Sequence, residues 1–481
     1  MVSPTVTGAE KPSPQTEATP LPAPQGVLRW GPVIGFGLLL LVLSRNVGTG
    51  IADPDTLWHV LAGDHLRDTW QFSGPDPLSS FTNQPWVLTQ WLPELALSLA
   101  NQWGGLPAVA FLAQLGRLAV CVAVYVACRR TSGPLAATLV TGITVLATAA
   151  SLSPRPQLVG FALLAVTASA WVRVLSDQRA PWWLVPLTWV WASSHGTWVV
   201  GIMLGLATTA GLVLDRKVSV RAAGRLALVP LASAGAALLT PLGTGILTAF
   251  GPVRAVSPYI QEWRRPELTD PSTIGLLVLV LVVALGWARR HSLVSWGAAG
   301  ILLVGVGWGL TYARTVAVGA IIIAPLAAQA LDAALGRARP ARGREPLVVA
   351  GLVLVVTMTC GLLAAGGPDE PVSVPDGTTA ALRALPPGAV VYNDDSLGGW
   401  LMWTFPSVRQ TADTRAELYG PAHARTYLSV MGAEPGWQAG FDEHRPVAAL
   451  VREDVPLATA LQRDRGWTVA ARDDGFLLLR P

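Results

Sequence analysis

Two carboxylates flank a proline at Asp53-Pro54-Asp55, directly after the first long apolar segment of the chain. Pro54 biases Asp53 toward an extended backbone, and side chains two apart on an extended backbone share a face. Both acids can therefore turn toward one cation or one reacting hydroxyl. Asp55 is placed to cap a helix over residues 56–67, and His59, four residues on, returns to the same side of that helix. The set suits general-base chemistry, with Asp55 as the reactive carboxylate and His59 as its partner. Oxygen ligands at Asp53 and Asp55 would equally suit a hard divalent ion such as Mg or Mn. The bland alternative is a proline turn followed by an N-cap.

The elements that would position these residues are membrane helices. Of 481 residues, 51% are hydrophobic and 13% charged, and the mean hydropathy is +0.46. That composition describes an α-helical polytopic membrane protein. The net charge of +4 comes from short basic clusters between apolar runs, the pattern of membrane flanks, so nucleic acid is excluded as a partner. Cys121, Cys128 and Cys360 all lie inside apolar segments, which leaves them as buried thiols without disulfide or metal spacing.

Residues 1–26, rich in Pro, Thr, Ala and Glu, are expected to form a disordered cytoplasmic tail. Residues 27–366 follow as the transmembrane domain, with about eleven spans and a long first outside loop over 45–105. Apolar stripes at Leu57, Val60 and Leu61 and at Trp91, Leu95 and Leu99 predict two short interfacial helices within that loop. Basic clusters at Arg129-Arg130, Arg173 with Arg179, Arg216-Lys217 with Arg221 and Arg225, Arg289-Arg290, and Arg337 through Arg344 fall in every second loop. Those loops are assigned to the cytoplasm, with the first loop and everything after Gly366 outside. Residues 367–481 have shorter apolar runs and higher charge density, which predicts a small extracytoplasmic α/β domain, with Asp473-Asp474-Gly475 as a hairpin turn.

This assignment gathers Asp53, Asp55, His59, Glu94, Arg155, His195, Glu262, Arg264, Arg265 and Arg314 on one face of the membrane. Arg155 and Arg314 could hold a phosphate or only anchor to headgroups. His195 before Gly196 could be a helix-end histidine satisfied by backbone, and Glu262 could belong to a solvated ion cluster with Arg264 and Arg265.

Several motifs occur in a fixed order: Asp53-Pro54-Asp55-x-x-Trp58-His59 with Gly63, Asp76-Pro77-x-Ser79-x-Phe81, Pro85-Trp86-Val87, and Gln90-Trp91-Leu92-x-Glu94 with Gly104-Gly105. Further along come Arg155-Pro156-Gln157, Trp191-Ala192-x-x-His195-Gly196, Pro241-x-Gly243, Glu262-Trp263, Arg314, Gly398-Gly399-x-Leu401 and Asp413-x-Arg415-x-x-Leu418-Tyr419-Gly420. This order resembles an uncharacterised bacterial family of multi-spanning proteins that looks like part of the GT-C superfamily, membrane glycosyltransferases that take sugars from polyprenyl-phosphate donors. Ser194 stands where the family pattern has Asn, and Gln90 where it has His.

The resemblance implies a GT-C-like, multi-pass protein of the bacterial cytoplasmic membrane, and the alternation of basic loops sets its N-terminus in the cytoplasm and its C-terminal domain outside. It implies transfer of a sugar from a polyprenyl-phosphate-linked donor to a glycan, lipid or protein acceptor of the envelope. Asp53 and Asp55 match the acids thought to act as base or metal ligand in the first outside loop. Arg155, His195, Arg314 and Glu262 are the expected substrate and phosphate contacts, with the C-terminal domain orienting the acceptor and carrying no catalytic group. Two other classes remain open: a catalytically silent relative that binds lipid-linked glycans or assists envelope assembly, and a transporter, for which neither midplane charges nor internal repeats stand out.

Overall fold

A computed structural model describes residues 30–336 and 343–481. The 1–26 tail, the expected helix start at residues 27–29, and the basic residues Arg337, Arg339 and Arg342 lie outside the described residues.

The apolar runs fold as helices because hydrocarbon offers the backbone no other hydrogen-bond partners. In order they are α1 (Gly31–Ser44), α2 (Pro54–Thr69), α3 (Trp91–Thr131), α4 (Pro134–Thr148), α5 (Gln157–Asp177), α6 (Leu184–Ala192), α7 (Trp198–Leu214), α8 (Val220–Ala237), α9 (Gly245–Thr248), α10 (Phe250–Val256), α11 (Pro271–Arg289), α12 (Trp296–Gly309), α13 (Val316–Ala334) and α14 (Glu345–Ala365). Among the described residues seven helices, counting short extensions, are long and apolar enough to cross a membrane: α1, α3, α4, α5, α11, α13 and α14. The apolar helices α7 and α12 are shorter. The nine residues of α6 reach only about 14 Å, less than half of a hydrocarbon core, so the span expected there is not a full crossing.

Helix α13 is the hub. It is buried on every side from Val316 to Ala328, which explains a stretch that is apolar all round. Neighbours approach it closely where side chains vanish: a Cβ on Gly319 would crowd the Gly309 backbone of α12.

Two corrections concern the long loop. Its first helix, α2, does not lie on a lipid surface; it buries Leu57, Val60, Gly63 and Leu66 inside protein, against α3 and the C-terminal domain. The second expected helix is the first arm of α3, whose 41 residues would run roughly 60 Å if straight, too long for one membrane. Gly104 and Gly105 break it: Gly105 adopts φ 63°, and the Leu106 N–H donates to Asp369 Oδ1 at 2.8 Å. A Cβ at Gly105 would overlap that carboxylate, so the break locks the arm to the start of the C-terminal domain.

A two-stranded ribbon, β1 (Ser73–Gly74) with β2 (Trp86–Val87), sits in the loop. The C-terminal domain is a five-stranded sheet in the order β4-β3-β5-β7-β6, formed by β3 (Val390–Asn393), β4 (Arg409–Gln410), β5 (Ala448–Arg452), β6 (Thr468–Asp473) and β7 (Phe476–Arg480). Strands β4, β3 and β5 are parallel, and β5, β7 and β6 antiparallel. Positive φ at Asp474 (46°) and Gly475 (75°) makes the tight β6–β7 turn expected of Asp-Gly. Helices α15 (Thr379–Arg383), α16 (Gly398–Thr404), α17 (Ala416–Met431), α18 (Trp437–Glu443) and α19 (Pro456–Arg465) complete it.

The domain is docked, not tethered. Leu57 and Val60 of α2 share one apolar core with Trp400 and Leu401 of α16 and Val391 of β3. Gly399 lies so close to α2 that a Cβ there would overlap the Pro54 carbonyl oxygen.

Candidate active site

The site forms where the end of the helix bundle at which α5 and α13 begin meets the C-terminal ends of β3 and β4. Asp53 is the N-cap of α2: its backbone is extended before Pro54 and its Oδ1 accepts from the Asp55 N–H at 3.1 Å. This corrects the expected capping role of Asp55, and the cause is Pro54, which serves as the first helical residue with no N–H to satisfy. Asp55 thus enters the helix and is 4% exposed.

Arg155 joins the two acids. It is held between Pro154 and Pro156 in the turn before α5, and the Thr56 hydroxyl donates to the Pro154 carbonyl at 2.9 Å, which ties that turn to α2. Its Nε and Nη2 donate to the two oxygens of Asp53 at 2.7 and 3.1 Å, and its Nη1 stands 2.8 Å from Asp55 Oδ2. The chain of charge continues outward: Arg155 Nη1 lies 3.9 Å from Glu262 Oε1, and Glu262 Oε2 accepts from Arg314 Nη1 at 2.9 Å. Arg314 also donates to Gln157 Oε1 at 3.4 Å. The Glu262 and Arg314 side chains are 50% and 34% exposed, so this end of the chain is open to solvent and ligand. Arg264 turns away to Glu267 and Asp270.

Burial raises the pKa of Asp55; Arg155 lowers it, Asp53 raises it, the Thr414 hydrogen bond lowers it and Asp413 raises it. A carboxylate so placed is more basic than one in water while remaining ion-paired.

His59 does not partner Asp55. Its Nδ1 lies 2.8 Å from Glu94 Oε1, both side chains are fully enclosed, and the ring packs against Trp58. The reason is the arm of α3, which comes so close that a Cβ on Gly63 would overlap the Glu94 carbonyl oxygen, bringing Glu94 to the imidazole. Burial holds the His59 pKa well below the ordinary histidine value, aided by Arg155 and Arg415. His195 likewise sits apart from the charge chain: its Nδ1 meets Thr197 Oγ1 at 2.9 Å and its ring packs on Gly160 and near Phe161.

The donor set does not fit a divalent ion as arranged. Asp53 and Asp55 already hold the Arg155 guanidinium as their shared cation, and among the described residues no three His, Cys, Asp or Glu side chains gather as a metal-holding group.

One contribution carries no sequence signal, and one motif residue gains a role. Trp58 and Thr414 both reach Asp55's surroundings: Thr414 Oγ1 donates to Asp55 Oδ1 at 2.6 Å and accepts from Trp58 Nε1 at 3.2 Å. Thr414 was an unassigned position between Asp413 and Arg415, and nothing local marks a threonine whose partner is 359 residues away.

The fold is similar to those of an archaeal oligosaccharyltransferase and of ArnT. Over 89% of this chain and 70% of the other it is similar to the archaeal oligosaccharyltransferase AglB from Archaeoglobus fulgidus, solved with an inhibitory peptide and a dolichol-phosphate (TM-score 0.56, 12% identity). It is similar to ArnT from Cupriavidus metallidurans bound to undecaprenyl phosphate over 94% of this chain and 98% of that one (TM-score 0.52, 14% identity). The apo oligosaccharyltransferase of Archaeoglobus fulgidus matches over 88% and 70% (TM-score 0.53, 11% identity). At these identities the likeness is one of fold. No family model and no curated protein matches the chain.

Proposed function

We propose that the chain transfers a sugar from a polyprenyl-phosphate-linked donor to a glycan, lipid or protein acceptor of the cell envelope, at the outer face of a bacterial cytoplasmic membrane. The observation that carries this reading is the buried, ion-paired Asp55 at the mouth of a charge chain ending in the accessible Arg314. Its support is a fold shared with proteins crystallised with dolichol-phosphate and undecaprenyl phosphate.

In this reading Asp55 takes the proton of the acceptor hydroxyl as that oxygen bonds to the anomeric carbon. The bond from that carbon to the phosphate oxygen breaks, and polyprenyl phosphate leaves with its charge met by Arg314 and Arg155. Asp53 holds Arg155 in place and Glu262 links the two guanidiniums. His195, bonded to Thr197, and His59, locked to Glu94, support the helices around the site without meeting substrate. The C-terminal domain orients the acceptor.

The decisive experiment is turnover of undecaprenyl-phosphate-linked sugars by purified protein, comparing the native chain with Asp55→Asn. Loss on the order of 100-fold or more with unchanged folding is expected; near-normal turnover by the variant would refute Asp55 as the base. A second reading, a lipid-linked glycan binder without turnover, is favoured by one observation: both carboxylates are engaged by Arg155. Binding of lipid-linked sugar without turnover by the native chain would select it.

A further inference from the structure

The reading of Asp55 leaves unexplained why its two oxygens meet such different partners. Oδ2 faces Arg155 of the membrane domain, at 2.8 Å. Oδ1 faces Thr414, which follows β4 in the C-terminal domain, at 2.6 Å. A third residue bears on the direction of that second hydrogen bond. Trp58, three positions after Asp55 on α2, points its indole Nε1 at Thr414 Oγ1 from 3.2 Å, and an indole N–H only donates. With its oxygen receiving that bond, the hydroxyl directs its single proton at Asp55, the arrangement that complements an ionised carboxylate.

The turn that carries Thr414 is itself immobilised. Asp413 and Arg415, on either side, pair at 2.8 Å, and Arg415 also meets Asp76 of the long loop at 3.0 Å. The Arg415 guanidinium lies 5.5 Å from the centre of the Trp58 ring, so the residue that orients Thr414 is held by its neighbour. Tyr419 closes the set, its hydroxyl donating to Asp413 Oδ2 at 2.7 Å. Behind the turn, a Cβ on Gly398 would overlap the Asp413 side chain, so helix α16 presses it toward α2.

We propose that Thr414 is a positioning residue for Asp55, contributed by the C-terminal domain, and that the site is complete only when that domain is docked. The inference rests on Asp55 being the functional carboxylate. Thr414 touches no substrate in this scheme; it acts through the acid, fixing its orientation and favouring its charged form. The charged groups facing Asp55 are Arg155 from the turn before α5, Asp53 from the helix cap, and Asp413 and Asp395 from the C-terminal domain. Three of these four are acids, so removing the hydroxyl leaves Arg155 alone against burial and like charge.

The test reads the ionisation of Asp55 directly. In pH-difference infrared spectra of the full chain in detergent, the protonated carboxyl band that Asp55→Asn abolishes reports its midpoint. Thr414→Val, which keeps shape and removes the hydroxyl, should move that midpoint upward by about one pH unit, and Thr414→Ser should restore it. Trp58→Phe, which removes only the orienting N–H, should move it the same way by less, and serves if the valine variant does not fold. The acid limb of the sugar-transfer rate should follow the midpoint in each variant. An unchanged midpoint in Thr414→Val, or in Trp58→Phe where that variant substitutes for it, overturns the proposal. Absence of sugar transfer by the native chain overturns the functional reading instead, because the infrared midpoints decide the role of Thr414 without it.

Discussion

At the scale of single residues the site is a matter of which cation meets which carboxylate. Arg155 is shared by Asp53 and Asp55, whereas Arg314 is held by the half-exposed Glu262, a long contact to Gln157 and the face of the Trp263 ring at 6.0 Å. Arg314 is therefore the guanidinium freer to leave its partner for a lipid phosphate. Arg314→Ala is expected to weaken undecaprenyl phosphate binding at least tenfold without loss of stability, as measured by native mass spectrometry; Arg155→Ala should weaken folding as well, since it leaves two partly buried acids unpaired. The pH dependence follows from Asp55. Its pKa is raised, so on acidification it protonates at a higher pH than a carboxyl in water, and a base must be deprotonated to act. The rate of sugar transfer should therefore fall on the acid side with a midpoint above the ordinary aspartate value of 3.8, and Asp55→Asn should abolish that limb.

At the scale of elements, the site depends on close approaches that glycine permits. Gly63 lets the arm of α3 reach α2 and deliver Glu94 to His59, and Gly399 lets α16 lie on the Pro54 carbonyl. Gly399→Ala must push the two elements apart, a cost of about 1–3 kcal/mol by analogy with overpacked cores. The expected result is a lower melting temperature and faster amide exchange in 398–404 and 54–60, read by hydrogen exchange; wild-type protection in both segments would show that docking tolerates the methyl. These contacts were not legible in the sequence. Gly63 and Gly398-Gly399 belong to motifs, but nothing local to a glycine marks which distant backbone it lets approach, whether Glu94 for Gly63 or Pro54 for Gly399. The N-cap was misplaced for a local reason: either acid of Asp-Pro-Asp can cap, and the choice depends on whether the proline lies before or inside the first turn.

At the scale of the whole molecule, polarity organises everything. Helices α5, α11 and α13 begin at the end that carries the site, so Arg173, Arg289 and Arg290 fall at the far end with Arg129 and Arg344. If the basic end is cytoplasmic, the site and the C-terminal domain face outside. A reporter that is active only in the cytoplasm, fused after Pro481, should be silent; a strong signal would invert the orientation.

Composition and the spacing of apolar runs determined the helical membrane domain, the α/β character of the tail and the side on which the polar residues gather, because burial in lipid and strand alternation are properties of consecutive residues. The sequence also held Asp53, Asp55, Arg155, Glu262 and Arg314 as candidates, and the structure links them into one charge chain. Tertiary structure alone decided the partners. It gave Glu94 to His59, left His195 on Thr197, and brought Thr414 from the far domain onto Asp55. Hydrogen bonds act over about 3 Å and carry no memory of separation along the chain, so a carboxylate with several eligible donors takes those that packing delivers.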